Sequence, residues 1–204
     1  MALDPEQNNV GPLDRQNVVT LDQPPASPAR QILTEVIQTI VLALLLFVAI
    51  NFITARIRVD GQSMEPTFHN GDYVVVNRLA YKIGDIERGD VVVFPYPLDP
   101  QRDLIKRVIG LPGDRVSVIS GIVYVNDAAL MEEYISEPPV DAMSQVTVPD
   151  GYVFLMGDNR NDSQDSRSWG PVAINNLIGK AVFRYYPFNA LGVVLHYDLV
   201  AAAP

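Results

Sequence analysis

One apolar strand and the tight turn that ends it read Leu104-Ile105-Lys106-Arg107-Val108-Ile109-Gly110-Leu111-Pro112-Gly113-Asp114. Side chains alternate between the two faces of a strand, so Lys106 shares a face with Leu104 and Val108, and Arg107 points to the other face. Both charged heads therefore compete for burial, and periodicity alone does not choose between them. A guanidinium stays protonated inside proteins, whereas a desolvated lysine can lose its proton. Only the lysine of this pair is suited to act as a base.

Outward from this strand, residues 56–204 read as short β-rich segments. Residues 73–77, 91–94 and 115–119 are rich in valine, and Gly-Asp, Pro-Gly and Asn-Asp turns separate the segments. Strong amphipathic helices are lacking in this part of the sequence. The pattern predicts a mainly β domain, built as a sandwich or as a folded, barrel-like sheet. Residues from about 118 to 151 are richer in Glu, Asp and Pro and predict a smaller β subdomain inserted between two parts of this domain.

Residues 1–55 differ in composition from the rest of the chain. Residues 36–55 carry no charge, and about 20 residues at 1.5 Å rise match a hydrocarbon core of about 30 Å, so they predict one transmembrane helix. Residues 1–35, with several prolines among polar residues, predict a disordered tail. A cleavable secretory signal is disfavoured, because a cut after Ala55 would place the bulky Ile53 where a small residue is required. Arginines flank the segment on both sides, so charge alone leaves the orientation open.

Composition excludes several classes of chemistry. The formal net charge of -9 leaves no basic surface of the kind that attracts nucleic acid. The sequence has no cysteine, which excludes a cysteine nucleophile, a thiolate metal site and disulfides. His69 and His196 lie far apart in sequence, so a histidine metal site or a Ser-His-Asp triad is hard to build. We therefore expect no metal and no cofactor.

Two further segments carry polar groups that could support chemistry. The first, Gly61-Gln62-Ser63-Met64-Glu65-Pro66-Thr67, places a serine beside a turn just after the predicted transmembrane helix. The second is an eleven-residue polar run, residues 158–168, which follows the apolar residues 152–156. Taken singly, the serine is an ordinary turn residue and the polar run suits a solvated loop as well as a hydrogen-bonded scaffold.

Together, the three segments closely resemble the bacterial type I signal peptidase family. The resemblance rests on Ser-Met-x-Pro-Thr, Lys-Arg-Val-x-Gly-x-Pro-Gly-Asp and Gly-Asp-Asn-Arg-x-x-Ser-x-Asp-Ser-Arg, which occur in the expected order, and it spans roughly residues 36–190. It implies that Ser63 is the nucleophile, that Lys106 is the general base and that the Ser163 hydroxyl orients the lysine. Asp165 and Arg167 are then a supporting pair.

The resemblance also implies how the oxyanion and substrate are bound. One branch of the family has a serine two positions before the nucleophile, whereas Gly61 offers only its backbone, so the Ser63 N–H becomes the main oxyanion donor. Met64, with Phe68 and Trp169, flanks the catalytic segments. These apolar side chains could line the substrate cleft, touch lipid or pack in the core.

The function implied is that of a membrane-bound serine endopeptidase. It would remove N-terminal signal peptides from exported preproteins, cutting after small residues through an acyl-enzyme intermediate. Its partners would be signal peptides and the lipid bilayer. Its place would be the bacterial plasma or inner membrane, crossed once, with the catalytic domain on the extracytoplasmic side. Two alternatives stay open: an inactive membrane-tethered β interaction module, and a self-cleaving repressor-type Ser-Lys protease.

Overall fold

The computed structural model describes residues 28–197, and it opens with one long apolar helix. This helix, α1, covers Pro28–Ile53, and a proline suits its first position because the N–H groups there have no partner within the helix. Its most apolar stretch has a mean hydropathy of 2.6, and its 26 residues span about 39 Å, enough to cross a membrane by length and composition. Of the predicted tail, residues 1–35, the part from residue 1 to residue 27 lies outside the described residues. Residues 28–35 are helical, so the helix begins earlier than the charge-free segment.

The rest of the described chain is mainly β, as predicted. Two very short α-helices, α2 (Ala80–Ile83) and α3 (Ser166–Trp169), and two single 3₁₀ turns interrupt the strands. The strands are β1 (Thr54–Arg58), β2 (Tyr73–Asn77), β3 (Val91–Tyr96), β4 (Asp99–Gly110), β5 (Arg115–Ile119), β6 (Ile122–Val125), β7 (Ala128–Ala129), β8 (Met143–Thr147), β9 (Tyr152–Met156), β10 (Val172–Ala173), β11 (Gly179–Tyr186) and β12 (Gly192–Val193). The prediction of a mainly β domain preceded by an apolar helix is therefore confirmed.

Eight strands form the larger sheet, in the order β1-β2-β11-β3-β4-β9-β10, and β12 pairs with β11. All pairs are antiparallel. The order is not that of the sequence, because β11 lies between β2 and β3. The strand that carries Lys106 and Arg107, β4, lies between β3 and β9 and has partners on both sides.

The smaller sheet has four strands in the order β7-β6-β5-β8. Its two hairpins are closed by two-residue turns, Ser120-Gly121 and Asn126-Asp127, in which all four residues have positive φ. Such turns match the twist of paired strands and favour Gly, Asn and Asp. The sheet covers residues 115–147, close to the range of 118–151 expected for an inserted subdomain.

Three clusters of apolar side chains fill the interior. One contains Ile109, Phe154 and Met156 of the larger sheet together with valines of the smaller sheet, so it joins the two sheets. A second contains Met64 and Phe68 from the segment after β1, packed with valines of β2 and β3. The third lies around Val92, Phe94 and Leu155. The segment that carries Ser63 is thus anchored by two buried side chains, one on each side of its Glu65-Pro66 turn.

Candidate active site

Ser63 lies in the turn between β1 and β2, and its backbone is held from the loop after β9. The Asn159 N–H donates to the carbonyl of Ser63 over 3.1 Å, and the Asn159 side-chain amide donates to the carbonyl of Gln62 over 3.2 Å. Met64, the next residue, is completely buried. The backbone at Ser63 is therefore fixed on both sides, while its side chain is only partly buried.

Lys106 enters the same site from β4. Its side chain is buried, and its Nζ lies 2.6 Å from Ser63 Oγ and 3.1 Å from the carbonyl oxygen of Ile105, to which it donates. Burial lowers the pKa of Lys106 to about 8, although the carboxylates of Asp165 and Asp158 partly oppose the shift. An ordinary lysine, with a pKa near 10.4, is neutral in about one molecule in a few thousand at pH 7. A pKa of about 8 raises the neutral fraction to about one in ten.

The contact between Ser63 and Lys106 lies in a cleft of about 430 Å³. Gly61, Gln62, Tyr96 and Leu104 are among the other residues that line it. The N–H of Gly61 already donates to the Asn70 side chain over 3.0 Å, so it is not free to bind a substrate oxygen. By contrast, the Ser63 N–H has no hydrogen-bond partner among residues 28–197.

Met64 does not line this cleft. The sequence left three roles open for the apolar residues near the site, and the structure shows that Met64 and Phe68 pack in the core. Their surfaces are 0% and 2% exposed. Trp169 is partly buried and packs its ring edge-on against Tyr96, with 5.2 Å between the ring centroids. Tyr96 lines the cleft, so Trp169 lies behind the cleft wall.

Asp165 organises the loop behind the lysine. It accepts two hydrogen bonds of 2.8 Å from the Arg167 guanidinium and one of 3.0 Å from the Gly157 N–H, and it caps the start of α3 through the Arg167 N–H. Burial alone would raise the pKa of Asp165, but the hydrogen bonds and charge of Arg167 hold it below its ordinary value. Asp165 is therefore a fixed negative charge close to Lys106.

Ser163 lies beside Gly157, but no hydrogen bond joins it to Lys106 in this structure. Its Oγ is buried, and its hydroxyl helps to hold the pKa of the Asp165 carboxyl below the ordinary value. A β-carbon placed on Gly157 would be 2.3 Å from this oxygen, so Ser163 is packed tightly against the loop backbone. The structure thus brings Ser163 close to the site without the contact that the sequence analysis predicted.

Sequence analysis missed a second buried ion pair behind the site. Arg107 donates from Nε and Nη2 to the Asp158 carboxylate over 2.8 and 2.6 Å, and both side chains are completely buried. Thr67, four residues after Ser63, donates its hydroxyl to the same carboxylate over 2.6 Å. The only signal available was the competition between Lys106 and Arg107 for burial, which the fold resolves by burying both.

No metal centre is evident in the described part of the chain. Residues 28–197 contain no group of three His, Cys, Asp or Glu side chains that could hold a metal ion. The cleft offers the Ser63 hydroxyl, the buried Lys106 amine and the Ser63 N–H, and its lining also includes the charged residues Asp60, Arg102 and Asp162.

Comparisons with known proteins point to one family. Residues 33–186 match the family model described as signal peptidase, peptidase S26. The chain is 41% identical over 180 residues to the probable signal peptidase I-1 of Synechocystis sp., covering 84% of this chain and 92% of that protein. It is also 41% identical over 164 residues to the signal peptidase I of Bacillus caldolyticus, covering 74% and 86%. A crystal structure of a signal peptidase I from Enterococcus faecalis V583 aligns with a TM-score of 0.44 and 31% identity, covering 48% of this chain and 97% of that one.

Proposed function

The chain belongs to the signal peptidase family, peptidase S26, and we propose that it is a membrane-anchored serine endopeptidase that removes N-terminal signal peptides from exported preproteins. The observation that carries the proposal is the 2.6 Å contact between Ser63 Oγ and the buried Lys106 Nζ. A nucleophile within hydrogen-bond reach of a base is the arrangement that covalent catalysis requires.

The first chemical step is acylation of Ser63. Neutral Lys106 takes the hydroxyl proton as Ser63 Oγ attacks the scissile carbonyl carbon, and the protonated lysine then gives a proton to the departing amine. The new bond joins Ser63 Oγ to the last residue of the signal peptide, and the mature protein leaves with a free N-terminus. The lowered pKa of Lys106 supports this role, because it gives a useful neutral fraction near neutral pH.

The second step is hydrolysis of the acyl-enzyme, with Lys106 activating a water molecule in the same way. During both steps, negative charge develops on the carbonyl oxygen of the substrate. The Ser63 N–H is the donor available for it, since the Gly61 N–H is engaged by Asn70. Loss of one such donor typically costs a factor of about 100 to 1,000 in rate.

Supporting roles follow from the contacts around the lysine. We assign Asp165 and Arg167 to holding the loop that carries Ser163 and Gly157. The Ser163 hydroxyl, which lies in the same loop near Asp165, is a hydrogen-bond site for the Lys106 amine once Ser63 is acylated and no longer holds it. Ser163 would then orient the lysine in the deacylation step.

The apolar helix α1 supports attachment to a membrane. With its mean hydropathy of 2.6 and no buried residue, it suits a single transmembrane anchor. An anchor confines the enzyme and a membrane-inserted signal peptide to one surface, which raises their effective concentration. We assign the protein to the bacterial plasma or inner membrane, with the β domain on the extracytoplasmic side, where exported preproteins emerge.

The alternatives from the sequence are less well supported. An inactive interaction module has no need for a lysine buried in contact with a serine, because burying an amine costs free energy. A self-cleaving repressor would carry a helical DNA-binding domain, whereas α1 is apolar and the net charge of the chain is -9.

The test is cleavage of a preprotein by the purified full-length protein in detergent micelles. We expect a single cut after a small residue, identified by N-terminal sequencing of the product. The Ser63→Ala variant, checked for folding by circular dichroism, should leave the preprotein intact. Cleavage that persists in Ser63→Ala, or no cleavage by the wild-type protein, would contradict the proposal.

A further inference from the structure

A buried set of charged and aromatic side chains connects the segment after β7 to the backbone at the active site. Glu132 and Tyr134 lie between β7 and β8, outside the larger sheet, and Arg160 lies in the loop after β9. The side chains of Arg160 and Glu132 are 0% and 6% exposed, and Tyr134 is buried. None of the three has a part in the chemical steps above.

These three side chains form a closed hydrogen-bonded triangle. Arg160 Nη1 donates to Glu132 Oε2 over 2.7 Å, and Arg160 Nη2 donates to Glu132 Oε1 and, over 3.1 Å, to Tyr134 Oη. The Tyr134 hydroxyl in turn donates to Glu132 Oε1 over 2.7 Å. The Tyr134 ring also lies 4.2 Å from the guanidinium carbon of Arg107. The orientation of the Arg160 guanidinium is therefore fixed by several contacts.

Arg160 is connected to the backbone of Ser63 through the loop after β9. Its Nε donates to the carbonyl of Gly157 over 3.0 Å. Gly157 packs directly against Ser63, since a β-carbon on Gly157 would lie 2.4 Å from the Ser63 carbonyl oxygen. Two residues later, the Asn159 N–H donates to that same oxygen. Loop residues 157–159 thus hold the Ser63 backbone by packing and by a hydrogen bond. Arg160 in turn holds this loop through the Gly157 carbonyl.

The choice of groups indicates a role in geometry. Apolar side chains can hold two parts of a protein together as strongly as a buried ion pair does. A bidentate ion pair between a guanidinium and a carboxylate, however, also fixes the distance and the angle between the two groups. Small errors of position at a nucleophile are costly, since a shift of about 1 Å can lower a rate by about 100-fold.

We propose that Glu132 and Tyr134 are positioning residues for catalysis, which act through Arg160 and Gly157 to set Ser63 against Lys106. The segment after β7 then contributes to the rate of acylation as well as to the stability of the fold. This inference rests on the proposed function, since it concerns the rate of that reaction.

The test is single-turnover cleavage of a preprotein by full-length Glu132→Gln and Tyr134→Phe, with folded enzyme in saturating excess. Under these conditions the rate constant does not depend on the fraction of unfolded enzyme. We expect the rate constant to fall by about 10-fold in Glu132→Gln and by a few-fold in Tyr134→Phe. A series of lower enzyme concentrations gives the half-saturating concentration, which should be unchanged. The matched control is Glu133→Gln, which neutralises the exposed neighbouring residue and should keep the wild-type rate constant.

The outcomes separate the two proposals. Absence of cleavage by the wild-type protein refutes the proposed function, whereas wild-type rate constants in both variants of an active enzyme refute only the positioning role. Equal slowing in Glu133→Gln would also refute it, because the effect would then be one of general charge. If Glu132→Gln does not fold, Tyr134→Phe decides the question, since it removes one hydroxyl and keeps the ring beside Arg107.

Discussion

Lys106 and Arg107 are consecutive residues of β4, and both side chains are buried, on opposite faces of the sheet. Lys106 lies against Ser63, whereas Arg107 pairs with a carboxylate. The two cations therefore have different protonation behaviour at neighbouring positions. The lysine is poised to lose its proton, and the arginine keeps its charge and holds Asp158 in place.

Replacing Lys106 with arginine should abolish cleavage as completely as replacing it with alanine. Arginine keeps the positive charge but does not lose its proton, so it cannot act as a base. We expect kcat to fall by at least about 1,000-fold in both variants. The exposed Lys82 gives the control, since Lys82→Arg should retain full activity. Substantial cleavage by Lys106→Arg would remove Lys106 from the role of base.

The acylation rate should rise with pH, reach half its maximum near pH 8 and level off about one pH unit higher. The neutral amine is the reactive form, so the rate follows the fraction of Lys106 that has lost its proton, and burial lowers the pKa of this group to about 8. Single-turnover cleavage measured from pH 6 to pH 10 gives the profile. A midpoint near 10.4, the ordinary value for lysine, would show that the amine is not desolvated.

Asp158→Asn should destabilise the fold strongly. The substitution leaves the buried Arg107 charge without its partner, and breaking a buried ion pair in this way costs about 3–5 kcal/mol. Denaturant unfolding gives the free energy. The matched control is Asp127→Asn, whose partner Arg115 is 43% exposed and whose loss should cost no more than about 1 kcal/mol. Similar losses in the two variants would contradict the importance of the buried pair.

Gly157→Ala should lower both activity and stability. The added β-carbon would lie 2.4 Å from the backbone oxygen of Ser63, and a backbone atom cannot move aside without displacing the nucleophile. Gly192→Ala is the control, because nothing lies within 4 Å of its β-carbon position. We expect cleavage to fall by about 100-fold in the first variant and to be unchanged in the second. Unimpaired cleavage by Gly157→Ala would show that the loop does not set the position of Ser63.

The orientation of the anchor can be read from protease protection. With α1 crossing the membrane once and the β domain outside, added protease should degrade the β domain in sealed spheroplasts. A cytoplasmic marker protein in the same sample should stay intact. A β domain that is protected until the membrane is opened would reverse the topology.

Local patterns predicted much of the fold. Alternation around Lys106 predicted β4, and valine-rich runs bounded by turn residues predicted β2, β3 and β5, because these signals depend only on neighbours in sequence. The position of β11 between β2 and β3 could not be predicted in this way. Strand order depends on packing between distant segments, and a single sequence does not display it.

The candidate site was predicted in part, for a similar reason. The motifs suggested Ser63 and Lys106, which the structure places in contact. Their supporting residues were less visible. Glu132 lies in a stretch rich in acidic residues that is typical of solvated surface, and its burial depends on Arg160, 28 residues away in sequence. The orienting role of Ser163 stays a prediction.

The position of β11 also bears on when the protein becomes active during its synthesis. In the larger sheet, β2 and β3 pair with β11 and not with each other, and β11 ends at residue 186 of 204. A chain still growing on the ribosome therefore lacks the strand that joins the two halves of its sheet, and contacts between segments so distant in sequence form slowly. We expect proteolytic competence to appear only after translation of the catalytic domain is almost finished. Nascent copies would thus be unable to cut preproteins while they are inserted into the membrane.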